Sequence, residues 1–133
     1  MAYWLQRTEL LVGAEGIEKL KNSHVLVVGL GGVGAYAAEQ ICRAGVGAMT
    51  LVDGDVVEET NRNRQLPALK SNEGRPKAEI LAERFRDINP EIQLHIYNQY
   101  MADEEITRLL EANRYDYVVD AIDTLSPKTF LIV

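Results

Sequence analysis

Cysteine is almost missing from this chain: Cys42 is the one thiol in 133 residues. A single cysteine forms no internal disulfide and leaves no CxxC pair, so a cysteine-based zinc site is excluded. It also fits a reducing compartment. Cys42 falls in an Ala-rich segment and reads as a small buried hydrophobe rather than a nucleophile. The two histidines, His24 and His95, stand apart from each other and read as structural. No apolar run approaches the length of a membrane span. Residues Met1 to Arg7 lack the shape of a secretory leader. A cytoplasmic chain with no membrane contact is expected. A net charge of −6 runs against a nucleic-acid binder, which normally shows a basic face. The charge is uneven, however. Arg62, Arg64, Arg75 and Lys77 share one stretch, while Asp103, Glu104, Glu105 and Glu111 lie elsewhere.

What the sequence does contain is a glycine-rich turn in a telling context. Val25 to Val28 is a continuous apolar run suited to a strand buried on both faces. Gly29, Gly31 and Gly34 follow with GxGxxG spacing, and Gly32 fills the turn between them. Such glycines permit a tight turn, close backbone approach to a phosphate and close helix–strand packing. Val33 to Ala44 reads as a helix whose N-terminus would point free N–H groups and a positive dipole end at that phosphate. Ala48 to Val52 is a second short strand, and Asp53 sits at its carboxyl end, where a carboxylate accepts hydrogen bonds from ribose hydroxyls.

The remaining elements follow from periodicity and breakers. Tyr3 to Leu20 reads as one or two helices broken near Gly13, with Leu5, Leu10, Leu11, Ile17 and Leu20 as an apolar face. Residues 54 to 73 read as a long loop, and a long loop in a compact domain is usually functional. Arg75 to Ile88 is a helix ended by Asn89-Pro90. Ile92 to Tyr97 is a strand, Asp103 to Ala112 a helix with an acidic first turn, and Asp116 to Ile122 a buried strand. Alternating strands and helices predict an α/β fold: a Rossmann-like, doubly wound, mainly parallel sheet with right-handed crossovers and an N-terminal helical segment. The chain stops in the apolar run Phe130 to Val133 with no cap or polar tail. Residues 1–133 are therefore expected to be the N-terminal half of a longer protein.

Beyond the glycines lie residues that a dehydrogenase does not need. Asn61, Arg64 and Gln65 follow Asp53 closely, and everything past a strand's carboxyl end gathers in the ligand crevice. A guanidinium at Arg64 forks two donors onto phosphate oxygens, and Lys77 adds a second cation. Two cations plus glycine N–H groups suit a triphosphate better than the pyrophosphate of a dinucleotide. The competing reading makes Arg64 a solvated loop charge and Lys77 a first-turn surface lysine; Arg62 and Arg75 read as plain surface charges. Asp120 and Asp123 bracket the end of the last strand. Asp123 is the better Mg²⁺ ligand, since Mg²⁺ takes one or two carboxylates plus phosphates and water, and Asp120 is expected to face back into turn N–H groups.

Together these residues resemble the ubiquitin-activating-enzyme-like (ThiF/MoeB/HesA) superfamily. The resemblance rests on five ordered motifs: Gly29 to Gly34, Leu51 to Asp55, Asn61 to Gln65, Gly74 to Lys77, and Asp120 to Asp123. Within it, the phrases Arg7 to Gly13, Thr60 to Gln65 with Ala68-Leu69, Lys77 to Glu79 with Ile88 to Glu91, and Val119 to Asp123 with Pro127-Lys128 are similar to the tRNA threonylcarbamoyladenosine dehydratase branch. Carrier-activating relatives usually place Asn after the last aspartate, where this chain has Thr124.

The resemblance implies that Gly29, Gly31, Gly32, Gly34, Asp53, Asp55, Asn61 and Gln65 hold ATP, with Asp53 on the ribose. It implies that Arg64 and Lys77 bind the phosphates and that Asp123 organises Mg²⁺. Arg7 matches an arginine that reaches into the neighbouring subunit's site, so a homodimer is implied, with Arg7, Arg64, Lys77 and Asp123 as the catalytic set. The implied reaction is ATP-dependent activation of a threonylcarbamoyl carboxylate on tRNA, closing a ring with loss of water. The alternative partner is a ubiquitin-like sulfur-carrier protein whose C-terminal glycine is adenylated. An NAD-dependent oxidoreductase would leave Asn61 to Gln65, Lys77 and Asp123 unexplained, and a non-catalytic nucleotide-binding module remains open.

Overall fold

The order of strands, β3-β2-β1-β4, all parallel, sets where a ligand can sit. The protein is seen here as a computed structural model that describes residues 3–122. Its strands are β1 (His24–Val28), β2 (Ala48–Val52), β3 (Gln93–Tyr97) and β4 (Tyr117–Asp120). Its longer helices are α1 (Gln6–Lys21), α2 (Gly34–Arg43), α3 (Lys77–Ile88) and α4 (Asp103–Ala112). The chain winds outward from β1 to β2 to β3, then returns across the sheet to β4 on the far side of β1. Right-handed crossovers then put α2 and α3 on one face and α4 on the other. The strand order reverses between β1 and β4, and that switch point opens a crevice at the strands' carboxyl ends. The expected Rossmann-like fold is what the structure shows, helical N-terminus included.

Each face has its own core. Val25, Val27, Met49 and Leu51 pack against Ala35, Ala38 and Cys42 of α2 and Ala78, Leu81 and Phe85 of α3. Leu26, Val28 and Val52 point the other way, onto Leu109 of α4. Alternation along strands buried on both faces produces this split. Cys42 is fully buried, its Sγ donates to the Phe85 carbonyl oxygen, and burial pushes its thiol up to about 11. Such a thiol is inert at neutral pH, as a packing role requires.

Two expectations about burial need correction. Leu10 and Leu11 do not join the core: they are 85% and 86% exposed. The N-terminal helix breaks at Gly13 (φ +77°), and its hold on the domain comes from Leu5, which packs at Gly45, and from Ile17. An apolar stripe read from spacing buries only where a second layer meets it. β4 is likewise not a strand buried on both faces. Among the described residues it pairs with β1 alone, which leaves Tyr117 at 67% exposure. The other boundaries moved little. α3 begins at Lys77 rather than Arg75 because Pro76 is extended (ψ 131°) and ends the preceding loop. That loop holds two short 3-10 turns, Glu59–Asn63 and Lys70–Asn72, and is tied to α3 by the Val56–Pro76 bridge.

Glu39 and Asn89, two buried polar side chains away from the crevice, are both paired. Glu39 of α2 is buried and takes Arg84 of α3 and Arg43 of its own helix, which holds its carboxyl below the ordinary range. Asn89 closes α3 by donating to the Val46 carbonyl oxygen at 3.1 Å. At the amino ends of the strands, His24 lies 2.7 Å from Thr50 Oγ1, edge-on to Tyr115 and beside His95. Burial, then the charge of His95, holds the His24 imidazole below its ordinary pKa, against the opposing pull of Asp116. The unfolded chain therefore takes up a proton more readily at this site than the folded one. Stability contributed here is complete above about pH 6.5 and is lost as pH falls through the folded value. Thermal unfolding followed between pH 7.5 and 5 is expected to show a falling midpoint. In His24→Gln that fall should flatten; an unchanged slope would place its origin elsewhere.

Candidate functional site

Backbone geometry builds the turn between β1 and α2. Gly29 adopts φ +95°, and a Cβ there would lie 2.5 Å from the Ala121 carbonyl oxygen. β1 and β4 can approach at the switch point because no side chain stands between them; Ala121 N–H donates to the Val28 carbonyl oxygen at 2.9 Å. Gly34 is more constrained: a Cβ would stand 1.7 Å from the Gly29 carbonyl oxygen. Gly31 and Gly32 are different. The nearest atoms to a Cβ at these positions are Gln65 Nε2 at 3.7 Å and Arg64 Cγ at 3.8 Å. Gly29 and Gly34 thus answer to packing, and Gly31 and Gly32 keep the surface above the turn open.

Asp53 pins this turn to the sheet. Its Oδ2 accepts the Leu30 N–H at 2.7 Å and its Oδ1 accepts the Asp55 N–H at 2.6 Å. Its own N–H donates to the Tyr97 carbonyl oxygen of β3 at 3.1 Å. Burial pushes the Asp53 carboxyl up, opposed by the N–H groups of Asp55 and Leu30 and by the Lys77 charge. A carboxylate oxygen with one donor has a lone pair left for another, such as a ribose hydroxyl.

These elements enclose a cavity of about 400 Å³ at the carboxyl ends of β1, β2 and β4. That lies within the roughly 300–1,000 Å³ of small-molecule clefts. Gly29, Gly31, Asp53, Asp55, Gln65 and Lys77 line it. Gln65 Oε1 is buried among them without a hydrogen-bond partner, an acceptor that a ligand donor would satisfy. Lys77 is no surface lysine. It is 3% exposed, and its Nζ lies 3.6 Å from Asp55 Oδ2.

Other motif residues lie outside the lining. Asn61 Oδ1 accepts the Glu58 N–H at 2.9 Å and shapes the loop. Arg64 lays its aliphatic stem over Gly32 and turns its guanidinium to Asn63 Oδ1 at 2.9 Å and the Thr60 carbonyl oxygen at 3.3 Å. Arg62 pairs with Glu59 and Glu73, and Arg75 with Glu83, so these two behave as the surface charges expected of them. Arg7 is exposed in the first turn of α1, two residues past Leu5, which packs at the opposite end of the sheet. Asp120 Oδ1 accepts the Ile122 N–H at 3.3 Å, facing back into its own turn as expected. Asp123 lies outside the described residues, and so do Thr124, Pro127 and Lys128. Among the described residues no cluster of three or more His, Cys, Asp or Glu side chains could hold a metal.

Sequence reading passed over the apolar wall of the cavity, Tyr100, Met101, Ile106 and Ile122. Gly54 meets the Tyr100 ring so closely that a Cβ there would stand 2.7 Å from it. The signal that would have found this wall is the same carboxyl-end rule, applied to β3.

The comparisons with known proteins agree with the geometry. The ThiF family profile matches residues 5–132, and the chain belongs to the ThiF family. It is 45% identical to the tRNA threonylcarbamoyladenosine dehydratase of Bacillus subtilis, over 99% of this chain and 52% of that protein. The crystal structure of the Escherichia coli tRNA N6-threonylcarbamoyladenosine dehydratase in complex with ATP superposes with a TM-score of 0.92 at 42% identity, covering 99% of this chain and 55% of that one. The Escherichia coli molybdopterin-synthase adenylyltransferase is 37% identical, over 88% of this chain and 46% of that protein. The chain thus spans about half the length of the curated relatives it matches.

The glycine geometry separates folding from binding. Gly34→Ala should lower the thermal midpoint by roughly 10 °C or more, because the clash is with backbone. Gly32→Ala should move it by less than about 2 °C. Equal losses in the two variants would contradict this assignment.

Proposed function

We propose, taking membership of the ThiF family as the premise, that residues 1–133 are the N-terminal nucleotide-binding part of an ATP-dependent adenylating enzyme. Its substrate is the threonylcarbamoyl carboxylate of tRNA N6-threonylcarbamoyladenosine, which it activates for cyclising dehydration. The observation that carries this reading is the convergence of Gly31, Asp53, Gln65 and Lys77 on one cavity, in a chain 45% identical to such a dehydratase. A carboxylate is a poor electrophile. Attack of its oxygen on the α-phosphorus of ATP expels pyrophosphate and leaves AMP as a leaving group for ring closure. In that reading Asp53 orients the ribose, the N–H groups of the glycine turn meet phosphate oxygens, and Lys77 and Arg64 supply positive charge as it is needed. Arg64 would first have to leave Thr60 and Asn63. Mg²⁺ bound by Asp123 would neutralise phosphate charge.

A sulfur-carrier protein as partner has the weaker support, since the molybdopterin-type relative is 37% identical against 45%. A cytoplasmic site of action follows from the tRNA substrate. The described helices include none long and apolar enough to cross a membrane.

The reading is tested in the organism that makes the protein. Deleting the gene should leave tRNA threonylcarbamoyladenosine in its open, uncyclised form, and tRNA nucleosides unchanged by the deletion would overturn it. A homodimer belongs to the same proposal. Arg7 stands away from its own chain's cavity, so it is assigned to the site of a partner copy. Mixing an Arg7→Ala subunit of the whole enzyme with an Arg64→Ala subunit should restore part of the activity that each loses alone. No recovery would refute the sharing of sites.

A further inference from the structure

Lys77 is the one cation among the buried side chains of the described residues, and what holds it is unusual. Its partner Asp55 has a side chain 48% exposed, against 4% for the lysine. The separation of 3.6 Å is ion-pair contact but too long for a hydrogen bond. Among the described residues no hydrogen bond to the ammonium is formed, so its three donors are held by charge alone. The backbone of Asp55, by contrast, is fixed at both ends. Its N–H donates to Asp53 Oδ1 at 2.6 Å, and its carbonyl oxygen accepts the Lys77 N–H at 3.1 Å. The carboxylate is therefore placed by the same hydrogen bonds that place the ribose-side aspartate and the first turn of α3. A buried ammonium needs a counter-charge, and an exposed carboxylate across a loose contact is one that it can leave at low cost.

We propose that Asp55 is a positioning residue that parks the Lys77 ammonium at the cavity wall and competes with the phosphate oxygens of an incoming nucleotide for it. This rests on the nucleotide reading above and gives the second aspartate of the strand end a role through Lys77, in place of the direct hold on ATP that the resemblance implies. Affinity for a polyphosphate is then set by an exchange, Asp55 for phosphate, whereas a nucleoside without phosphates binds without disturbing the pair. The pair also discriminates by charge, because only a ligand carrying phosphate repays the separation of Lys77 from Asp55.

The test is calorimetric titration of the whole enzyme with ATP, AMP and adenosine, for wild type, Asp55→Asn, Asp55→Glu, Lys77→Ala and the Asp55→Asn/Lys77→Ala double variant, each checked for folding by thermal melting. Asp55→Asn should tighten ATP by roughly threefold or more and leave adenosine within about twofold. Asp55→Glu, which keeps the counter-charge, should behave as wild type. In the Lys77→Ala background, Asp55→Asn should leave ATP affinity unchanged. An equal tightening with and without Lys77 would mean plain removal of a repelling charge and would overturn the proposal. So would a loss of ATP affinity in Asp55→Asn, or an equal change for ATP and adenosine. Wild type that binds neither ATP nor adenosine overturns the nucleotide reading itself, and this inference with it.

Discussion

One half-buried carboxylate ties this structure together. Asp53 stands at the end of β2, accepts N–H groups from the glycine turn after β1 and from its own following loop, and pairs its backbone with β3. Three strands and two loops are thereby held at one residue, the two loops through short hydrogen bonds to its carboxylate. Charge-assisted bonds of this kind are stronger than neutral ones, and their loss would leave the donors of Leu30 and Asp55 without a partner. The cavity exists because its rim is fixed there. Without that fixation, the flexible glycine turn and the long loop from Gly54 to Gly74 would have no common reference.

The groups that line the cavity are few, and the backbone that carries them is held by contacts outside it. Gly34 packs against Gly29, Asn61 shapes its loop, and Glu39 joins the two helices beneath the crevice. Lys77 belongs to both sets, since its backbone starts α3 and its ammonium reaches the cavity. That dual position explains how the residue that starts a helix delivers a buried charge to the cavity wall.

Much of the architecture is legible in the sequence, because it follows from local rules. β1 was legible as a continuous apolar run rich in valine, β2 as a short strand ending at an aspartate, α4 as a helix with an acidic first turn, and the crevice from glycine spacing and the terminal aspartate. Boundaries shifted where proline acts on its neighbours, as at Pro76. Burial was the weak point. Spacing marks Leu10 and Leu11 as one apolar face but carries no information on whether another layer covers it. The same holds for Tyr117 on β4, since a strand's sequence does not state how many neighbours it has.

By itself, then, the sequence determined the α/β class, the place of the nucleotide-type turn and the family to which the chain belongs, since each depends on residues adjacent or regularly spaced along the chain. Only the tertiary structure decided that Lys77 is buried beside Asp55, that Gln65 rather than Asn61 or Arg64 reaches the cavity wall, and that Tyr100 closes over Gly54. These are meetings between residues on different elements. They are set by how the loops cross the carboxyl edge of the sheet, and linear spacing does not encode that crossing.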